Sequence, residues 1–127
     1  MLLAGLQNCV DLNKLIMLRF IKAVHTVIWI VMSASNFLAF YFAFVGRFDA
    51  WFWIPCLLIV SEIFIILLNN WRCPITPIAE KYTTDRKSNF DIYLPEWLAK
   101  NNIKIFSGII IVELLMLAIK YLLTTNN

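Results

Sequence analysis

Three apolar runs of about twenty residues, Ala23–Val45, Ala50–Leu68 and Ile103–Leu123, dominate this sequence and limit what it can become. Each is long enough to cross the hydrocarbon core of a bilayer as a helix. The 127-residue chain is 61% hydrophobic and only 15% charged, where a soluble domain carries about 25% charged residues. So short a chain has no interior large enough for this much apolar surface, so lipid is the expected solvent. Backbone polar groups in lipid must bond within their own segment. With few glycines and prolines, that points to helices and not to a barrel. The expected class is all-α: an integral membrane protein with three transmembrane helices and a short cytoplasmic interfacial helix.

The second run ends at Trp71-Arg72-Cys73-Pro74-Ile75-Thr76-Pro77. Two prolines in four residues cannot lie in a helix interior, so the chain must leave its helix here. Trp71 marks a membrane surface. Thr76 is read as the cap, and Pro77 as the first position, of the short helix that follows.

Ahead of the first run, residues 1–22 form an N-terminal interfacial segment, with Leu3, Leu6 and Val10 at helical spacing. No positive residue precedes the first leucines and no small-residue cleavage pattern follows, so this is not read as a signal peptide. Met17-Leu18-Arg19-Phe20-Ile21-Lys22 would itself serve as a translation start, so residues 1–16 are expected to carry little function. Residues 23–123 are the membrane domain, with spans at about 23–45, 50–68 and 103–123 and a cytoplasmic loop at 69–102. In the first span His25, Trp29, Met32, Asn36, Ala39, Ala43 and Gly46 recur every three or four residues. This polar and small face is expected to pack against other helices. Gly46-Arg47-Phe48-Asp49 is a tight turn, followed by the interfacial Trp51 and Trp53. The loop closes with Phe90, Tyr93, Leu94 and Trp97 returning to the interface and Pro95 at a helix start. A short polar tail follows Leu123.

Lysine and arginine are unevenly shared. Lys14, Arg19, Lys22, Arg72, Lys81, Arg86, Lys87, Lys100 and Lys104 fall on one side of the spans, and Arg47 and Lys120 on the other. By the positive-inside rule the N-terminus and the 69–102 loop face the cytoplasm and the C-terminus faces out. In a bacterium this is the inner membrane.

His25, Glu62 and Glu113 are ionisable residues within the spans. Each costs roughly 2.5–3.5 kcal/mol to insert when charged, so such groups pair or are protonated. Helical rise places them about 5, 10 and 15 Å deep. If the faces meet, they form a graded set able to relay a proton, hold a cation or receive a polar headgroup. Alternatively His25 pairs with Glu62, and Glu113 is protonated or bonded to Asn36, and the cluster His25, Asn36, Glu62 and Glu113 sets helix packing. Cys73 beside Arg72 is either a reactive thiol or a small residue under the turn. Cys9, Cys56 and Cys73 are expected as free thiols, since Cys56 and Cys73 are separated by a helix of about 25 Å. No catalytic residue follows from these patterns. No metal site is expected, because one histidine and scattered cysteines lack ligand spacing. No cofactor is expected either, and a bis-histidine haem is excluded by the single histidine. Nucleic acid is excluded for want of a basic, aromatic-interleaved patch.

The order of these features resembles a family of small bacterial three-pass membrane proteins known only as a domain of unknown function. In that family a first-span histidine and a proline-containing second span ending in a glutamate precede Trp-x-Cys-Pro-[Leu/Ile]-Thr-Pro. The matching residues are His25, Pro55, Glu62, Trp71, Cys73, Pro74, Thr76 and Pro77, and the likeness covers residues 20–123. In the family a glutamate comes one residue sooner than Glu80, where Ala79 intervenes here, so no role is carried to Glu80. The resemblance implies a topology and no activity. The expected function is a non-enzymatic accessory or assembly component, with the lipid bilayer and a homo-oligomer or larger membrane complex as partners. The alternative is a small membrane redox or proton-coupled protein using His25, Glu62, Glu113 and Cys73.

Overall fold

The computed structural model describes residues 1–125; Asn126 and Asn127, the end of the polar tail, lie outside the described residues. It is built from four helices: α1 (Leu2–Val45), α2 (Ala50–Leu68), α3 (Ile75–Ala79) and α4 (Glu96–Thr125). The described residues contain no strand. Helices α1, α2 and α4 are each long and apolar enough to cross a membrane, so this is a multi-pass, all-α membrane protein. The segment before residue 23 runs without interruption into α1. Its side chains are almost all exposed up to Met17. At the rise of an α-helix α1 is about 66 Å long, roughly twice the hydrocarbon thickness.

Helix ends follow from local chemistry. Gly46, at φ +80°, ends α1. The amide of Arg47 reaches back to the carbonyl of Phe42 at 3.0 Å, the six-to-one bond of a Schellman turn, which favours glycine at this position. Asp49 then caps α2, its carboxylate accepting from the Trp51 amide at 3.2 Å and from Arg47 at 2.5 Å. Pro55 lies inside α2, in its second turn, and is buried. A second Schellman-type bond closes α2, from the Trp71 amide to the Ile66 carbonyl at 2.9 Å. Here both Asn70 and Trp71 have positive φ, 55° and 61°. For Trp71 the left-handed conformation costs about 1–2 kcal/mol, which the surrounding packing must offset.

The start of the short helix differs from the expectation. It begins at Ile75, behind Pro74 at φ −62°, and the Cys73 carbonyl accepts from the Thr76 amide at 3.0 Å. Pro74 already has a helical φ and no amide to satisfy, so it opens the turn. Thr76 is thus inside α3 instead of capping it, and Pro77 is third instead of first. The hydroxyl of Thr76 is thereby free for a tertiary bond.

Contacts divide the chain into two units: Met1–Trp29 with Ile65–Lys100, and Ile30–Phe64 with the residues from Asn101 on. In the first, Ile21, Ala79 and Phe90 form a small buried cluster flanked by Leu18, Ile75 and Tyr82. Burying a side chain the size of Phe90 contributes about 1.5–3 kcal/mol, and here it lays α3 and the loop against α1. In the second, Phe42, Ala43 and Phe52 pack with Cys56, Met116 and Leu117, and Phe37 meets Phe106 edge-on at 6.4 Å. Ala39 and Ala43 are fully buried, as small residues at a close helix approach should be.

Candidate functional site

Within the first unit, the apolar cluster delivers one loop carboxylate to the single histidine. Asp91 lies between Phe90 and Ile92, all three buried, so its side chain is carried inward with its neighbours. Nδ1 of His25 lies 3.1 Å from the Asp91 carbonyl oxygen and 3.3 Å from its carboxylate Oδ2. Both partners are acceptors, so Nδ1 carries the proton and donates. Thr76 Oγ1 donates to the same Oδ2 at 2.5 Å. The Asp91 side chain is only 6% exposed, which leaves these donors, and not bulk water, to hold its charge. Burial pushes the Asp91 carboxyl up, but the hydrogen bonds from His25 and Thr76 outweigh it and hold it below the usual carboxylate value.

Cys73 completes the group. It is half-buried just before α3, near enough to His25 for the two to interact electrostatically. One residue further along α1, Thr26 Oγ1 accepts from the Tyr93 amide at 3.0 Å, and the Lys22 ammonium lies 4.9 Å from the Tyr93 ring centre. These contacts fasten the chain from Thr76 to Tyr93 along one stretch of α1. Beside them Arg72 pairs with Glu80 across α3.

His25 takes Asp91 as its acidic partner where Glu62 was expected; Asp91 comes in on the loop with Phe90 and Ile92. Cys73 and Thr76 of the Trp71–Pro77 motif join His25, while Trp71 and Pro74 are exposed and Pro77 is half-buried. Asn36 and Glu113 belong to the second unit and are both buried. The expected Asn36–Glu113 bond is not formed: Asn36 Nδ2 donates to the Met32 carbonyl of its own helix at 3.0 Å, and Asn36 Oδ1 has no hydrogen-bond partner among the described residues. The Met32 carbonyl, one turn back in the same helix, accepts this bond with its second lone pair. Glu113 lies close enough to Cys56 for the two to interact electrostatically. Glu62 is half-buried in α2.

Two tertiary contacts went unread in the sequence. Asp91 was one, although an acid between Phe90 and Ile92, in a stretch returning to the interface, has no reason to be there unless it is paired. Lys120 was the other. Its ammonium donates to the carbonyls of Ala43 at 2.5 Å and Phe44 at 2.6 Å, in the last turn of α1. Those carbonyls lack intrahelical partners and sit at the negative end of the helix dipole.

No family model, no curated protein and no solved structure matches this chain. The chemistry of the site therefore has to be read from its own residues.

Proposed function

We propose that this protein is a non-enzymatic accessory or assembly component of a bacterial inner membrane, with its N-terminus and the 69–102 loop cytoplasmic and its C-terminus outside. One observation carries the reading: the polar side chains nearest the membrane surface are engaged with one another as ties. Asp91 binds both His25 and Thr76, and Thr26 receives the Tyr93 amide. Such a network fixes the loop on α1 and presents it as a shaped surface. The uneven distribution of lysine and arginine supports the orientation. The chain covers little of its own spans: 6%, 17% and 6% of the most apolar windows of α1, α2 and α4 are buried within it. Lipid and neighbouring subunits, a second copy or a larger complex, are the proposed partners for the rest. The likeness to small three-pass proteins with a Trp-x-Cys-Pro-[Leu/Ile]-Thr-Pro motif fits the same reading.

A second reading is favoured by the nearness of Cys73 to His25, which lets the two interact electrostatically. It makes the protein a small membrane thiol or proton-coupled protein, with Glu62 and Glu113 as further ionisable groups. Purification from native membranes in a gentle detergent separates the two. A stoichiometric partner supports the first reading. A pure, partner-free protein with visible haem- or flavin-like absorption, or one whose activity is lost in Glu62→Gln while insertion is retained, replaces it with the second.

A further inference from the structure

The part of α1 ahead of its span is bare helix: from Leu2 to Met17 every side chain is exposed. In proteins most helical stability comes from packing an amphipathic face, and no other described residue covers this one. The face itself is regular. Leu3, Leu6, Val10, Asn13, Met17 and Phe20 alternate at intervals of three and four, the 3.5-residue repeat of a coiled-coil seam. The alternation runs on through Val24 and Val27, and all eight residues are exposed. At about 100° per residue, the seam lies on the opposite side of α1 from Lys22, His25 and Thr26, which carry the loop. The chain's own packing therefore leaves it open. Lipid is not its cover either. The helix enters the span without interruption and without a proline, so its start has no kink that would let it turn and lie flat on a bilayer.

We propose that this seam is a dimer interface, filled by a second copy of the same chain in a parallel, in-register coiled coil on the cytoplasmic side of the membrane. Two copies inserted the same way present their α1 helices parallel and at one level, so each seam position meets itself. Asn13 is the single polar residue of the seam. In this register its amide meets the same amide of the second copy, and each can both donate and accept. A lone polar core residue fixes register and oligomer state in this way, at some cost in stability. Charges keep clear of the contact: Asp11, Arg19 and Lys22 lie off the seam, and Lys14 on one flank faces the flank formed by Leu2, Cys9 and Ile16, which carries no charge. The seven apolar seam residues with Leu2 and Ile16 are all exposed in the single chain. At about 60 Å² each they bury on the order of 1,000 Å² between two copies, about what a specific interface requires. A second copy is one of the partners of the accessory reading, on which the common orientation of the two chains rests. Residues 1–16, expected from the sequence to carry little function, gain one here.

The full chain, carrying Cys9→Ser, is given single new cysteines along α1 and oxidised in native membranes with copper phenanthroline. A disulfide needs Cα atoms about 4.4–6.8 Å apart, which facing seam positions satisfy and outward positions do not. Leu6→Cys, Val10→Cys and Phe20→Cys should each give linked dimers at least about tenfold more than Asn8→Cys and Leu15→Cys, which lie on the far side of the helix. Leu15 is as apolar as the seam residues, so non-specific association would link it equally. Equal linking at all five positions, or none above the Cys9→Ser parent, overturns the proposal. In the Phe20→Cys chain, Val10→Asp puts an unpaired charge into the seam, while Val10 is 52% exposed in the single chain and its replacement leaves the fold intact. Linking should fall about tenfold or more; undiminished linking assigns the contact to the spans and equally defeats the seam. Purification in a gentle detergent keeps the two readings apart. A different stoichiometric subunit without seam linking leaves the accessory reading standing and removes the dimer. Seam linking in a protein that carries no other subunit upholds the dimer whichever function the protein serves.

Discussion

Replacing Asp91 by asparagine keeps the side chain's size and removes its charge, and the cost can be worked from the contacts it makes. Two donors converge on Oδ2, from Thr76 at 2.5 Å and from His25 at 3.3 Å, in a side chain with almost no solvent access. Hydrogen bonds to a charged partner contribute about 1.5–3 kcal/mol, and neutral ones about 0.5–1.5. Asparagine can still accept one of the two, and the backbone bond from His25 to the Asp91 carbonyl survives. The net loss is therefore about 2 kcal/mol, which corresponds to roughly a 30-fold larger population of the undocked loop at about 1.4 kcal/mol per factor of ten. That population can be read by amide hydrogen exchange in detergent micelles. The Tyr93 amide, bonded to Thr26, and the Thr76 amide, bonded to the Cys73 carbonyl, report the two ends of the tie. Both should lose about 30-fold in protection, while amides in the middle of α4 stay as they are. A change of less than about threefold at both would show that Asp91 does not hold the loop, and the reasoning from its burial and partners would fail.

The same tie should weaken in acid. The Asp91 carboxyl is held below its usual range only while the loop is docked, so the docked state binds a proton less readily than the undocked one. Its stabilisation is complete above the ordinary carboxylate range and is lost as pH falls through the lowered value; protection of the Tyr93 amide should follow this limb, and Asp91→Asn should flatten it. Lys120→Met removes both bonds to the carbonyls of Ala43 and Phe44 and should cost about 2–3 kcal/mol, measured by reversible unfolding in mixed micelles; a cost below about 0.5 kcal/mol would refute the capping role. Gly46→Ala, forced to a φ of +80° with the Lys120 ammonium 3.6 Å from the added methyl, should lose about 1 kcal/mol in the same assay. Asn36→Leu removes a buried acceptor that has no partner among the described residues, so stability should hold or rise; a loss above about 1 kcal/mol would mean that the acceptor is in use.

Much of the architecture was legible because it depends on neighbours in the chain. The apolar runs set the three spans. Gly46 and the Pro74 break mark where helices must end, and buried Asn36, Ala39 and Ala43 fall on the face that their three- and four-residue spacing defined. Even here one local detail went astray: Pro74 and Pro77 are both able to open a helix, and periodicity alone does not say which does. The candidate site was half legible. His25 and Cys73 drew notice as a lone imidazole in a span and a thiol at a helix break, but their juxtaposition did not follow from either position.

By itself, then, the amino-acid order determined the solvent, the helices and their ends, since transfer free energy and backbone sterics act over a few residues. Only the tertiary structure decided which acid would meet His25. Glu62, Glu113 and Asp91 were all available, and Asp91, 66 positions away, is the one found on the imidazole because the packing of Ile21, Ala79 and Phe90 brings the loop there. Lys120 found the end of α1 from 77 positions away under the same logic: a charge in an apolar setting is driven to whichever opposite dipole the packing puts within reach, and no local pattern encodes that distance.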